Sequence, residues 1–185
     1  MSLQNSETRA TVEFPANLCG KNQTATPENI SLYDAAQKGD VTSLKAALAA
    51  GANPDYFKKS EEGTPAPLHA AVLTSSSSSN SSIRAKDDNS TAAIACTQTI
   101  LRNGADVDAT LISNRNTPLH LAASIGAADV CDVLLAAGAS TDASNGFGNT
   151  PLYTATRHGF LGIVRSLLLA EKERGGADVV NAVNH

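Results

Sequence analysis

Apolar residues in this chain fall in short stripes at helical spacing rather than in alternation, and glycine separates one stripe from the next. The stretch from Thr117 to Gly138 shows the unit most clearly. Thr117 is a helix-capping residue, and Pro118 at the first helical position gives up a donor that would be unpaired there anyway. Leu119, Ala122 and Ala123 then give a short inner helix a narrow apolar face, with alanines small enough to let neighbouring helices approach closely. Gly126 closes that helix in a conformation that disfavours a side chain. Val130, Val133, Leu134 and Leu135 supply the buried stripe of an outer helix, which Gly138 ends. The polar, glycine-rich stretch STDASNGFGN that follows predicts a tight, hairpin-like turn.

The unit recurs. NTPLHLAASIGAADVCDVLLAAGASTDA from Asn116 aligns with NTPLYTATRHGFLGIVRSLLLA from Asn149, 33 residues on. SLYDAAQKGDVTSLKAALAAGANPD from Ser31 repeats the pattern, because the step from Gly39 to Gly51 matches that from Gly126 to Gly138. A fourth, degenerate copy begins APLHAAVLT at Ala66 and resumes as AAIACTQTILRNGADVDA at Ala92. Between those halves lies a serine-rich run, Ser75 to Ser82. The spacing places it as an insertion over 75–91 between inner and outer helix, at the edge opposite the turns, with Asn89 or Ser90 capping the resumed helix. Such an insertion costs little, since loop-closure entropy grows only slowly with length. It reads as a solvated insert or as a phosphorylatable surface acting on Arg157 or on a partner.

The motif TPLHLAA, then Gly, then VCDVLLAAGA, at this period, resembles the ankyrin repeat. The resemblance implies an all-α repeat solenoid of stacked helix-turn-helix units with β-hairpin fingers projecting nearly perpendicular to them. It divides the chain into a flexible N-terminal arm, 1–28, and a repeat domain, 29–185, with repeats at 29–63, 64–114, 115–147 and 148–185. Val12 to Leu18, VEFPANL, is the arm's apolar patch and would dock on the helices or on a partner. The first copy has Ile30-Ser31 where the family has Thr-Pro, and reads as a terminal cap. The charged stretch Glu171 to Arg174 should lengthen the last outer helix or the loop after it. In the family the TPLH histidine is structural, which assigns that role to His69 and His120. Tyr33 and Tyr153 take the same place in the other copies, an exchange that no catalytic ladder would tolerate.

Composition narrows the function. The 185 residues suit one domain, and the apolar 42% rests on Ala, Leu and Val, with no Trp and seven aromatic residues. A net charge of -4, without blocks of like charge, steers away from nucleic acid and from an anionic membrane. Cys19, Cys96 and Cys131 show no zinc-site spacing and point to reduced thiols in a cytoplasmic protein, with the nucleus as a second setting. Cys96 and Cys131 fall in outer helices and read as packing residues. No nucleophile and base can be assembled, and Gly146 to Asn149, GFGN, lacks the strand and helix of a phosphate loop. Asp106, Asp108 and Asp142 recur with the repeat and shape turns. The expectation is therefore no catalytic residue, no cofactor and no metal.

What remains is surface. The fingers carry Tyr56, Phe57, Lys58 and Lys59 in the first, Ile112, Asn114 and Arg115 in the second, and Asn145 and Phe147 in the third. By resemblance the concave inner-helix face adds Ser124, Ile125, Arg157 and His158, beside Gln37 and Lys38. Apolar anchors ringed by polar groups are what a protein contact needs, so the expected function is a non-catalytic module binding another protein. Two alternatives stay open: a regulatory or substrate-docking region of a larger enzyme, and a self-associating repeat module. The second draws on Phe160, Ile163, Leu167 and Leu168, expected to leave an apolar edge exposed at the C-terminal end.

Overall fold

The computed structural model describes residues 26–56, 66–75 and 86–174. Among them are eight α-helices: α1 (Pro27–Lys38), α2 (Val41–Ala49), α3 (Pro67–Thr74), α4 (Lys86–Arg102), α5 (Pro118–Ile125), α6 (Ala128–Ala136), α7 (Pro151–His158) and α8 (Leu161–Glu173). Each odd-numbered helix packs on the even-numbered one after it. The odd helices form an inner row, the even ones an outer row, and each row packs in chain order. The result is the two-layer solenoid that the repeat predicts.

All four inner helices start at a proline, and three of them carry a threonine cap: Thr26, Thr117 and Thr150 each accept a backbone N–H three residues on. The fourth, α3, has Ala66 at that position and no side-chain cap. At the far ends of α1, α5 and α7 the chain turns through Gly39, Gly126 and Gly159 in the left-handed region. Gly126 has a second constraint, because a Cβ there would lie 2.7 Å from Cε1 of Phe160 in the next copy.

The core is continuous from end to end. Leu32, Leu44, Leu68 and Ile100 fill the first half and Leu119, Leu134, Ile163 and Leu167 the second, all buried, and Leu101 packs against both groups. Each such side chain contributes about 1.5–3 kcal/mol by leaving water, an amount realised only when the neighbouring copy is in place.

The structure corrects several expectations. The arm was expected to reach residue 28, but α1 begins at Pro27 with Thr26 as its cap, one turn before the Ile30-Ser31 position. The family's Thr-Pro start is thus present in the first copy, only displaced; residues 1–25, with Val12 to Leu18, lie outside the described residues. The insertion was expected to run to residue 91, but α4 already starts at Lys86, so Asn89 and Ser90 lie inside a helix instead of capping it. Ser90 helps to hold that extension, its hydroxyl donating to Asp129 Oδ2 on α6 at 3.1 Å. Residues 76–85 lie outside the described residues.

The fingers differ too. Among the described residues there is no strand. The second and third fingers each close as a tight turn, with Leu111 N–H donating to Asn116 O and Asn145 N–H to Asn149 O, both at 3.0 Å. Backbone and polar groups also bond sideways between copies. Asp106 N–H donates to Asp55 Oδ1 at 2.8 Å, Ser140 N–H to Asp108 Oδ1 at 2.9 Å, and Gly146 N–H to Asn114 O at 2.8 Å. As predicted, α8 takes up most of the charged stretch and outruns α6, ending at Glu173.

Candidate interaction surface

The sequence-derived partner residues separate into two groups. Ile112, Asn114, Arg115, Asn145 and Phe147 lie on the second and third fingers. Ser124, Ile125, Arg157 and His158 lie at the C-terminal ends of α5 and α7, the far end of inner helices eight residues long and therefore about 12 Å away along the axis.

The finger group has a fixed base and an apolar top. Asn114 Oδ1 accepts from Asn116 N–H, and Asn145 Oδ1 accepts from both Phe147 N–H and Asn149 N–H, so each turn is tied by its own asparagine. Across the gap, Asn145 Nδ2 donates to Asn116 Oδ1 at 2.8 Å. Gly146 lies so close to Asn114 that a Cβ would be 3.1 Å from its carbonyl oxygen. On this locked base Ile112 is 75% and Phe147 77% exposed.

At the other end, Ser124 and Ile125 are half-buried while Arg157 and His158 are exposed. The Ser124 hydroxyl is spent on Leu121 O at 2.8 Å, and the His158 ring stacks over Phe160 with centroids 6.1 Å apart. Gln37 and Lys38 occupy the same place on α1 and are exposed. Tyr56 is a correction: expected at an exposed tip, it is 1% exposed, and its N–H closes a turn onto Asn53 O. Phe57, Lys58 and Lys59 lie outside the described residues.

The histidines stand beneath this surface. His120 Nε2–H donates to Asn149 O at 2.9 Å, and Nδ1 accepts from Thr117 N–H at 3.3 Å. His69 Nε2–H donates to Asn116 O at 3.3 Å, but its buried Nδ1 has no partner. Both therefore tie one inner helix to the next finger, which is structural work. Burial lowers both from the ordinary imidazole pKa, His69 to about 4, with backbone carbonyls only partly opposing it, so both rings are neutral. Burial also raises the Cys96 thiol to about 11 and the Cys131 thiol to about 12, with Asp40 and Asp132 adding smaller contributions. Thiols so shifted are poor nucleophiles. Asp106 and Asp108 accept backbone N–H groups, and Asp142 accepts the Ser140 hydroxyl; they act as turn residues.

The C-terminal edge is also redistributed. Ile163 and Leu167, expected on it, are buried against α7 and α6, and Phe160 is half-buried. Leu168 is exposed as expected, and Tyr153, Leu161 and Leu169 join it. Corresponding positions explain the pattern. His120 and Cys131 are covered by the copy that follows, and their counterparts Tyr153 and Val164 are more open.

A family profile described as ankyrin repeats, three copies, matches residues 85–181, slightly more than half of the chain. It starts at the beginning of α4, so the pairing of α1 with α2 and of α1 with α3 is what extends the array toward the N-terminus. Among curated proteins, the chain is 36% identical over 86 residues to the neurogenic locus Notch protein of Drosophila melanogaster. It is 41% identical over 64 residues to the human ankyrin repeat and SOCS box protein 18. These alignments cover 46% and 35% of this chain but 3% and 14% of the relatives, so it spans a small part of their length. Stacked helix pairs, left-handed glycine turns, a histidine bonded to the next finger and the profile match agree, and the chain belongs to the ankyrin-repeat family.

Proposed function

We propose that the chain is a non-catalytic module that binds another protein, with the second and third fingers as the principal contact and the Arg157–His158 end of the concave face as its extension. The family is generally one of protein-interaction modules, which supports the broad reading. The observation that carries the finger assignment is the exposure of Ile112 and Phe147 on a backbone fixed by cross-finger hydrogen bonds. A rigid base lowers the entropy lost on binding, and two exposed apolar side chains ringed by asparagine and arginine match the anatomy of a protein contact. Buried free thiols at Cys96 and Cys131 support a reducing compartment, the cytoplasm or the nucleus.

Affinity purification from the native cell, followed by mass spectrometry, tests this with wild type and Ile112→Ser/Phe147→Ser. Specific partners should be lost from the double variant while its melting temperature holds. Equal recovery with both proteins would count against the fingers. A second reading, self-association, is favoured by the apolar stripe Leu161, Val164 and Leu168, spaced to lie along one side of α8. Sedimentation across a concentration series decides it: a mass that rises for wild type and not for Leu161→Ser/Leu168→Ser supports association.

A further inference from the structure

We propose that the finger surface selects a partner segment in which an acidic side chain neighbours an apolar one, and that Arg115 is the residue that reads the acid. The inference rests on the finger-binding reading above. Its starting point is backbone conformation. Arg115 has φ 56°, and among the described residues it is the sole non-glycine in the left-handed region. The same place in the next finger, 33 residues on, is Gly148 with φ 75°. The turn therefore asks for glycine, and this finger carries an arginine against a local conformational cost. Unfavourable backbone held in a well-supported site is a mark of function.

The arginine supports nothing in the fold. Its N–H closes the turn onto Leu111 O at 2.8 Å, a bond any residue but proline would make. Its exposed guanidinium has no hydrogen bond or ion pair among the described residues. The carboxylates of the adjoining finger bases are already engaged: Asp108 accepts Ser140 N–H, while Asp142 accepts the Ser140 hydroxyl and feels the charge of Arg174. Among the described residues the cation is left uncompensated, on the finger that carries Ile112 and next to the finger that carries Phe147. Arg115 and Phe147 each adjoin a residue of the Gly146–Asn114 hydrogen bond, and Ile112 lies two residues from it.

A guanidinium grips a carboxylate through two parallel hydrogen bonds, and such a pair gains most when apolar neighbours exclude water from it. A polyanion fits poorly, because the chain carries a net charge of -4 and the finger bases are lined by Asp55, Asp106, Asp108 and Asp142. A single Asp or Glu among Leu, Phe or Trp fits the surface.

The test is selection from a displayed random-peptide library, followed by affinity measurements on synthetic peptides. The proteins are wild type, Arg115→Asn, Arg115→Lys and Ile112→Ser/Phe147→Ser. Wild type should recover peptides with Asp or Glu close to a large apolar residue, and Arg115→Asn should bind them about 10-fold more weakly. Arg115→Lys should keep part of the affinity. Asparagine tolerates the left-handed region, so Arg115→Asn should melt no lower than wild type, which separates loss of binding from loss of fold. Recovery of no acid-bearing peptide by wild type, or equal affinity for Arg115→Asn, overturns the inference. Peptides that still need Ile112 and Phe147 but ignore Arg115 leave finger binding standing and remove only the acid. Peptides indifferent to both substitutions overturn both.

Discussion

His69 and His120 occupy the same place in successive inner helices, and both are buried. Their surroundings differ at the residue that precedes the helix. Thr117 caps α5, and its N–H and hydroxyl reach His120 Nδ1, at 3.3 and 2.9 Å; Ala66 stands at the start of α3, and His69 Nδ1 is left buried without a partner. Ala66→Thr should therefore supply a helix cap, worth about 0.5–2 kcal/mol, and relieve an unmet buried nitrogen, which costs about 1–3 kcal/mol. One hydroxyl does both, so the two gains do not simply add. Ala66 is 1% exposed, and fitting extra atoms there offsets part of the benefit. The net expectation is a gain of about 1–2 kcal/mol.

For a domain of this size that gain raises the melting temperature by roughly 2–8 °C. The assay is urea unfolding followed by circular dichroism, with an unchanged m-value showing that only stability moved. Ala66→Ser, smaller than threonine, repeats the test with less crowding. Thr117→Ala runs it backwards: it should cost about as much as the forward change gains, by giving α5 the defect that α3 carries natively. If neither Ala66→Thr nor Ala66→Ser raises the midpoint, the account of His69 as an unsatisfied group is wrong.

Three further outcomes follow from the same packing. His69 has a pKa of about 4 when folded, against about 6.5 unfolded, so the unfolded chain binds more protons between those values; stability should be complete above pH 6.5 and fall by about 3 kcal/mol as pH drops to 4. Urea midpoints measured across that window check this, and a flat profile would refute it. Thr97, fully buried with an unpartnered hydroxyl, holds the place that Leu44, Cys131 and Val164 hold in the other copies; Thr97→Val should stabilise by about 1 kcal/mol in the same assay. Gly126→Ala and Gly159→Ala both force a side chain into the left-handed region, at about 1–2 kcal/mol, but only at Gly126 does the added carbon meet Phe160. Gly126→Ala should therefore be the more damaging of the two, and equal losses would show that Phe160 yields freely.

Much of the architecture was legible because capping, glycine and apolar signals repeat in register. The misses have physical causes. Thr26-Pro27 is as plain a helix start as Thr117-Pro118, yet an extra turn in α1 moves it out of register with the other copies. Tyr56 reads as an exposed anchor because an aromatic residue among polar turn residues carries no mark of burial in the sequence, yet it is 1% exposed. The apolar run of α8 fills two stripes, Ile163 and Leu167 facing the core and Leu161, Val164 and Leu168 facing the side that a following copy covers. Hydrophobicity alone does not separate them, whereas helical periodicity does. The candidate surface was legible as far as Ile112, Arg115 and Phe147, but the backbone conformation that singles out Arg115 has no signature beyond an arginine standing where the next finger has glycine.

The defects of this fold are not spread evenly. The uncapped inner helix, the unmet imidazole nitrogen and the unmet threonine hydroxyl all belong to the second copy, which also carries the serine-rich insertion. In a solenoid each copy is stabilised through its two interfaces, so a weak copy persists where both neighbours are sound. The first copy adds an extra turn and two caps, Thr26 and Asp40, on one side. The third closely follows the repeat pattern and receives the His69 bond, at Asn116 O, on the other. The finger bearing Ile112 and Arg115 springs from this junction, between the least and the most regular copies. Its base must then be fixed from the third copy's side, and the bonds from Gly146 and Asn145 to Asn114 and Asn116 do so.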